Sequence, residues 1–188
     1  MRILMLGNSF TYYHDMPQML AALLQAEVVS ITKGGARLKE HLQRGTELQV
    51  RTEEALLQSK WDFVILQEQS SAPILEKEDF QKSADKLCEM IRANGAEPVF
   101  YATWAYRDGT DKLASVKMTY NEMDSGLHQS YHEAARRNGA KTADVGQAFT
   151  QMRTLAMLYE EDNFHPSETG SLLAACVIAE TIRYCQRK

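Results

Sequence analysis

Five short segments that fit strands, four of them rich in apolar residues, alternate with longer segments of helical periodicity, and this alternation is the feature that most constrains the fold. The five segments are residues 3–6, 28–32, 63–66, 98–104 and 141–145. Short apolar runs are typical of strands buried on both faces of a sheet. Strands that alternate with helices form parallel sheets with helices on both faces. The sequence therefore predicts an α/β fold with a five-stranded parallel sheet.

The segments between these strands show the spacing of apolar residues that is typical of amphipathic helices. We expect helices from about residue 15, over 77–93, within 113–137, near 151–159 and over 167–185. A chain of 188 residues has the length of one ordinary domain, here 1–188, and can bury a core without metal or disulfide support. We therefore expect a single domain.

Charge and cysteine content exclude several classes of protein. The net charge of −4, without a block of basic residues, argues against a nucleic-acid partner. No apolar run approaches the ~20 residues of a membrane helix, and the first run is too short for a signal peptide. The three cysteines have no metal-ligand spacing, and Cys88 and Cys176 lie within apolar helical patterns where core positions are expected. These observations favour a cytoplasmic protein that does not bind membranes.

Ser9 stands directly after the first strand, behind Gly7 and Asn8. Gly and Asn adopt backbone conformations that end a strand. Ligands of parallel α/β sheets bind at the carboxyl ends of the strands, which places Ser9 at the edge where chemistry is expected. Taken alone, Ser9 is also compatible with a turn or a helix N-cap.

The other informative segment lies near the end of the chain, where Asp162 and His165 precede the last helix. Each of these residues alone is compatible with a solvated loop. Together with the Gly-Asn-Ser segment they resemble the two conserved blocks of the SGNH hydrolases, also called GDSL-like esterases. Of the other histidines, His14 lies at a helix start, whereas His41, His128 and His132 fall in helical patterns where solvent exposure is expected.

The resemblance implies a three-layer, flavodoxin-like fold and a catalytic triad of Ser9, Asp162 and His165. A serine hydroxyl needs a base to attack an ester, histidine is suited to this task, and a carboxylate fixes the tautomer of the base. The spacing of three residues allows Asp162 to fold back onto His165 within one turn. The resemblance implies no metal and no organic cofactor.

The resemblance also implies an oxyanion hole made by the Ser9 backbone, by Gly35 after the second strand, and by a side-chain amide after the third strand. The chain departs from the family in this third block, because glutamines replace the family's asparagine. Gln69 is the predicted donor and Gln67 the alternative, since both carry the same amide. Asn8 also replaces the usual aspartate of the first block. Trp104, at the end of the fourth strand, is either a core residue or a substrate contact.

The predicted function is hydrolysis of a small-molecule ester through an acyl-serine intermediate, with an acetyl or other short acyl group that a carbohydrate could carry. The alternative is a non-catalytic α/β module that binds a phosphate-containing ligand on backbone N–H groups, or an acylated sugar. In the phosphate-binding alternative His165 is dispensable.

Overall fold

A parallel sheet of five strands in the order β2-β1-β3-β4-β5 lies at the centre of the computed structural model, which describes residues 1–155 and 157–187. The strands are β1 (Arg2–Gly7), β2 (Glu27–Thr32), β3 (Phe63–Leu66), β4 (Glu97–Tyr101) and β5 (Lys141–Ala143). Ile3, Leu4 and Met5 in β1, an interior strand, are fully buried, as the apolar run predicts. The predicted α/β fold with a parallel sheet is confirmed.

Helices cover both faces of this sheet. Those described are α1 (Ser9–Tyr12), α2 (Met16–Leu24), α3 (Glu47–Gln58), α4 (Ala72–Leu75), α5 (Lys77–Asn94), α6 (Asp111–Ala114), α7 (Tyr120–Arg137), α8 (Val145–Met152) and α9 (Glu168–Gln186). Helices α2, α8 and α9 pack on one side, and α3, α5 and α7 pack on the other. The chain reverses its winding direction after β2, and right-handed crossovers then place α3, α5 and α7 on the face opposite to α2. Among the described helices, none is both long and apolar enough to cross a membrane.

The predicted helix near residues 151–159 is wrong, because the helix starts earlier. Helix α8 begins at Val145, directly after β5, and ends at Met152. Gly146 permits this early start, since a Cβ there would lie 2.4 Å from the carbonyl oxygen of Thr103. Residues 153–155 form a turn, and Ala156 lies outside the described residues. Periodicity alone did not reveal that a glycine packs this helix against the end of β4.

Two side chains have the opposite burial from the one that the sequence predicts. Cys176 is exposed, because the small apolar face that includes Ala174 and Ile178 takes the inner side of α9. His41 is fully buried in a short 3₁₀ helix, and its Nδ1 lies 2.8 Å from the Thr52 hydroxyl. Burial lowers the pKa of His41 to about 4. Cys88 is buried, as predicted.

Candidate active site

Ser9 is presented by a short turn between β1 and α1. Asn8 caps α1, with its side-chain oxygen accepting a hydrogen bond from the Phe10 N–H at 3.0 Å. The Thr11 and Tyr12 N–H groups donate to the Asn8 carbonyl. Among the described contacts, the Ser9 N–H has no acceptor, which is expected for the first residue of a helix. It is therefore available to a bound group beside the Ser9 hydroxyl.

A tight loop before α9 carries the other two predicted residues. A bridge between Tyr159 and Pro166 closes this loop, and the Glu160 N–H donates to the His165 carbonyl at 3.0 Å. Asn163 has a left-handed backbone, with φ of 67°, which turns the chain between Asp162 and His165. The loop thus projects both side chains in the same direction.

The structure brings Ser9, His165 and Asp162 into one chain of hydrogen bonds. His165 Nε2 lies 2.9 Å from Ser9 Oγ, and His165 Nδ1 lies 2.6 Å from Asp162 Oδ2. With Nδ1 protonated toward the carboxylate, Nε2 is free to accept the serine proton. These distances are the ones that a serine nucleophile and its base require.

The carboxylate of Asp162 is held from several directions. Its Oδ1 accepts hydrogen bonds from the His165 and Phe164 N–H groups at 2.9 and 3.1 Å. Partial burial by itself would raise the pKa of Asp162, but the hydrogen bonds from His165 and Phe164 outweigh it and lower that pKa. Asp162 therefore stays ionised and keeps its orienting hydrogen bond to the imidazole.

Aromatic side chains that sequence reasoning did not single out surround the imidazole of His165. The ring of Tyr13 stacks on it with centroids 4.2 Å apart and planes 2° from parallel. Phe10 meets it edge-on at 5.7 Å, and Phe164 lies 4.0 Å away. The run of aromatic residues directly after Ser9 was the sequence feature that pointed to aromatic contacts at this site. These rings restrict the rotation of the imidazole.

Trp104 occupies the environment of a core residue. It is 0% exposed, and its ring stacks between Phe10 at 4.6 Å and Phe149 at 4.0 Å. Its indole N–H donates to the Phe164 carbonyl at 3.0 Å. In this conformation Trp104 supports the loop that carries His165, whereas the alternative of a substrate contact would require exposed ring surface.

Gly35 lies in an exposed turn after β2, the strand that pairs with β1. Its φ of 69° is in the left-handed region that favours glycine, and the Ala36 N–H closes the turn on the Lys33 carbonyl at 3.0 Å. The Asn8 side-chain amide donates to the Ala36 carbonyl, which ties this turn to the segment that carries Ser9. The turn thus lies beside the segment that carries Ser9.

The two glutamines after β3 make different contacts. Gln67 is buried, and its Oε1 accepts hydrogen bonds from the Asn8 N–H and the Thr11 hydroxyl, both at 2.9 Å. Gly7 makes room for it, since a Cβ there would lie 2.5 Å from that oxygen. Gln67 therefore holds the segment on either side of Ser9.

Gln69 is half-buried, and its Oε1 accepts hydrogen bonds from the Ser71 and Ala72 N–H groups, both at 3.1 Å. Its amide nitrogen donates to the Ser70 hydroxyl at 3.1 Å. One amide hydrogen is thus used within its own loop, and the second remains for another acceptor. Within the described contacts, Gln69 does not reach Ser9.

Glu68, between these glutamines, is a buried acid that sequence reasoning did not identify. It is 2% exposed and accepts hydrogen bonds from the Gln69 and Leu38 N–H groups at 2.6 and 3.2 Å. Burial raises the pKa of Glu68 to about 7, against the opposing effect of these hydrogen bonds. The alternation of side chains at the end of β3 did not predict that Glu68 is buried.

No protein-family model matches the sequence, and a search of curated proteins finds no significant match. Solved structures do match. A protein from Slackia heliotrinireducens assigned to the SGNH hydrolases is 44% identical, with 97% of this chain and 98% of that chain covered and a TM-score of 0.92.

More distant structures share the fold. A DUF4886 family protein from Bacteroides uniformis is 20% identical, with 98% of this chain and 83% of that chain covered and a TM-score of 0.77. A catalytic mutant of an acetylxylan esterase from Geobacillus stearothermophilus is 15% identical, with 96% and 93% covered and a TM-score of 0.72. The identity to the Slackia protein over nearly the full length shows that this chain belongs to the SGNH hydrolase family.

Proposed function

We propose that this protein is a serine ester hydrolase in which Ser9 is the nucleophile, His165 the general base and Asp162 the residue that orients the base. The observation that supports this most directly is the continuous chain of hydrogen bonds from Ser9 Oγ through His165 to Asp162, with distances of 2.9 and 2.6 Å. Membership of the SGNH hydrolase family supports the same reaction class.

In the proposed mechanism Ser9 Oγ attacks the acyl carbonyl carbon while its proton passes to His165 Nε2. The tetrahedral intermediate then collapses, the ester C–O bond breaks, and His165 returns the proton to the departing alcohol. A water molecule attacks the resulting acyl-serine, again giving its proton to His165. The carboxylic acid leaves and the Ser9 hydroxyl is restored. Asp162 stabilises the imidazolium that forms in each half of the reaction.

The negative charge on the tetrahedral intermediate requires donors that are already in place. The Ser9 N–H is the first candidate, because it starts α1 and has no acceptor among the described contacts. We assign the second donor to the Gly35 N–H, in the turn that Asn8 ties to the nucleophile segment. The third is the remaining amide hydrogen of Gln69, on the longer arm that replaces the family's asparagine.

We propose that the substrate carries a short acyl group, such as an O-acetyl group on a carbohydrate. Ser9 is only 8% exposed, and the bulky rings of Phe10, Tyr13 and Phe164 lie around its base. Such surroundings favour a small acyl group at the nucleophile. The acetylxylan esterase that shares the fold acts on a substrate of this type, by its name.

The phosphate-binding alternative has less support. A phosphate at this position would need the free N–H groups of a helix N-terminus. Helix α1 has only four residues, and the Asn8 side chain already accepts from the Phe10 N–H. The available backbone donors are therefore fewer than a phosphate site uses.

The substitution Ser9→Ala tests the proposal. We expect it to abolish hydrolysis of p-nitrophenyl acetate while the thermal unfolding temperature stays nearly unchanged, because only one small hydroxyl is removed. Ser125→Ala is the matched control, since that exposed hydroxyl bonds only to carbonyls of its own helix. Retention of more than about a tenth of the wild-type kcat by Ser9→Ala would refute the nucleophile assignment.

A further inference from the structure

Two histidines on α7 lie close to a carboxylate at the end of β5, which is three strands from β1 in the sheet. His132 Nε2 is 2.6 Å from Asp144 Oδ1, and the rings of His128 and His132 have centroids 4.1 Å apart. The potential ligand atoms of His128, His132 and Asp144 all lie within 4.8 Å of one another. The three side chains therefore converge on one point.

The composition of this group is typical of a transition-metal site. Imidazole nitrogens with a carboxylate oxygen are preferred ligands of Zn²⁺ and similar divalent ions. Histidines four residues apart lie on the same face of a helix, and this spacing places both on one metal ion. Ligand atoms at about 2.0–2.2 Å from Zn²⁺ lie roughly 3–3.5 Å apart. Because His128 is exposed, its side chain has room to rotate toward the other two ligands.

The backbone that carries Asp144 is fixed on both sides. The Ala102 N–H donates to the Ala143 carbonyl, and the Gly146 N–H donates to the Ala102 carbonyl, both at 3.0 Å. The contact of Gly146 with the backbone of Thr103 leaves no room for a Cβ. The carboxylate is therefore presented from a rigid position, as a preorganised metal ligand requires.

A second carboxylate increases the negative charge near this point. Asp124 lies one helical turn before His128 and lines the same small cavity as His128 and Asp144. Its Oδ1 accepts a hydrogen bond from the Thr150 hydroxyl at 2.9 Å, which fixes its orientation. Two carboxylates beside two imidazoles give a site that attracts a cation.

We propose that His128, His132 and Asp144 bind a divalent transition-metal ion, with Zn²⁺ the ion best suited to this ligand set. The bound ion would connect α7 to the junction between β5 and α8, and it would take no part in the chemistry at Ser9. Because the ion binds the folded chain, it would raise the thermal stability of the protein. The simpler alternative is a hydrogen-bonded His132–Asp144 pair that does not bind metal.

The test is a calorimetric titration of tag-free, chelator-treated protein with ZnCl₂ near neutral pH, together with thermal unfolding at increasing zinc concentration. We expect one Zn²⁺ per chain and an unfolding temperature that rises with zinc. His128→Ala should weaken binding by about tenfold or more and remove most of the rise. Because His128 is exposed, its loss should leave the fold intact, which circular dichroism would verify.

Two further variants serve as matched controls. His14→Ala removes another histidine–carboxylate pair, in which His14 Nε2 lies 2.7 Å from Glu160 Oε1. His165→Ala removes the proposed catalytic base, which also lies beside a carboxylate. Both should keep the affinity of the wild type. The proposal is overturned if the wild type binds no zinc, if His128→Ala binds as tightly as the wild type, or if only a control variant loses binding.

Discussion

At the level of single residues, His165 is constrained on its ring edges and on one ring face. Asp162 and Ser9 hold the two nitrogens, and Tyr13 stacks against the ring with planes 2° apart. An imidazole held in this way would need little reorganisation to act as the proposed base, which is a condition for efficient acid–base catalysis. The histidine is therefore oriented before any substrate binds.

Asp162→Asn tests the orienting role of the carboxylate. An amide can donate to Nδ1 and so favour the tautomer whose Nε2 carries a proton and cannot accept one from serine. We expect kcat for ester hydrolysis to fall by about 10³–10⁴, and His165→Ala to be at least as severe. The exposed neighbour provides the control, since Glu161→Gln should change kcat little. Wild-type kcat in Asp162→Asn would place Asp162 among the solvated loop acids instead.

The two glutamines after β3 give a second test at this level. If Gln69 donates to the oxyanion, Gln69→Ala should lower kcat by roughly 10²–10³ and change KM much less, because the bond forms fully only in the transition state. Gln67→Ala should instead lower the free energy of unfolding by about 1–3 kcal/mol, since it leaves the buried Asn8 and Thr11 donors unpaired.

Steady-state kinetics and urea unfolding of both variants separate these roles. A kcat for Gln69→Ala within about threefold of the wild type, well short of the loss expected for one donor, would reject its oxyanion role. Loss of stability at Gln69 without loss of kcat would show that its amide only orders the turn at Ser71 and Ala72.

At the level of elements, the connection between β3 and α4 contains a buried acid, Glu68, whose burial makes the free energy of unfolding depend on pH. The pKa of Glu68 is raised from 4.5 to about 7 by burial. Between these pH values the folded protein keeps a proton that the unfolded chain has lost, so the free energy of unfolding falls as pH rises. The loss attributable to Glu68 reaches about 3 kcal/mol.

Glu68→Gln should remove this contribution, because its amide stays neutral and can still accept the hydrogen bonds from Leu38 and Gln69. Urea unfolding at pH values from about 5 to 8 should therefore show the wild type losing stability relative to the variant as pH rises. Glu54→Gln, at an exposed position on α3, is the control and should run parallel to the wild type. Parallel curves for Glu68→Gln would contradict the account of its burial.

The sequence was most informative where a local pattern determines the structure. Unbroken apolar runs predicted β1 and β3, in which residues 3–6 and 63–66 are buried on both faces of the sheet. Contacts between segments that are distant in the chain could not be predicted in the same way. The 151–159 prediction failed because the packing of Gly146 against Thr103 is a tertiary contact. The burial of His41 and Glu68 depends likewise on elements that are remote in the chain.

The same distinction holds for the candidate site. The resemblance of the first and last blocks to the SGNH hydrolases predicted that Ser9, Asp162 and His165 act together, and the structure brings the three side chains within hydrogen-bond distance. The partners of Gln67 and Gln69 depend on how the amide groups rotate inside the folded loop. No sequence pattern specifies that rotation, and none indicated that Trp104 stacks between Phe10 and Phe149.

At the level of the whole molecule, the topology brings the two ends of the chain together. Strand β1 lies inside the sheet, and α9 packs against α2, the helix that follows Ser9. The loop before α9 therefore lies over the carboxyl end of β1, which brings His165 to Ser9 across 156 positions of sequence. This edge is where ligands of doubly wound sheets bind.

The most direct test of the account is to treat the protein with a fluorophosphonate probe and to locate the adduct by mass spectrometry. Such probes react with serines that a base activates, so only a functioning nucleophile is labelled. We expect a single adduct on Ser9 in the wild type, and almost none in His165→Ala with its fold intact. An unlabelled wild-type protein, or a label on another serine, would contradict the assignment of Ser9 as the nucleophile.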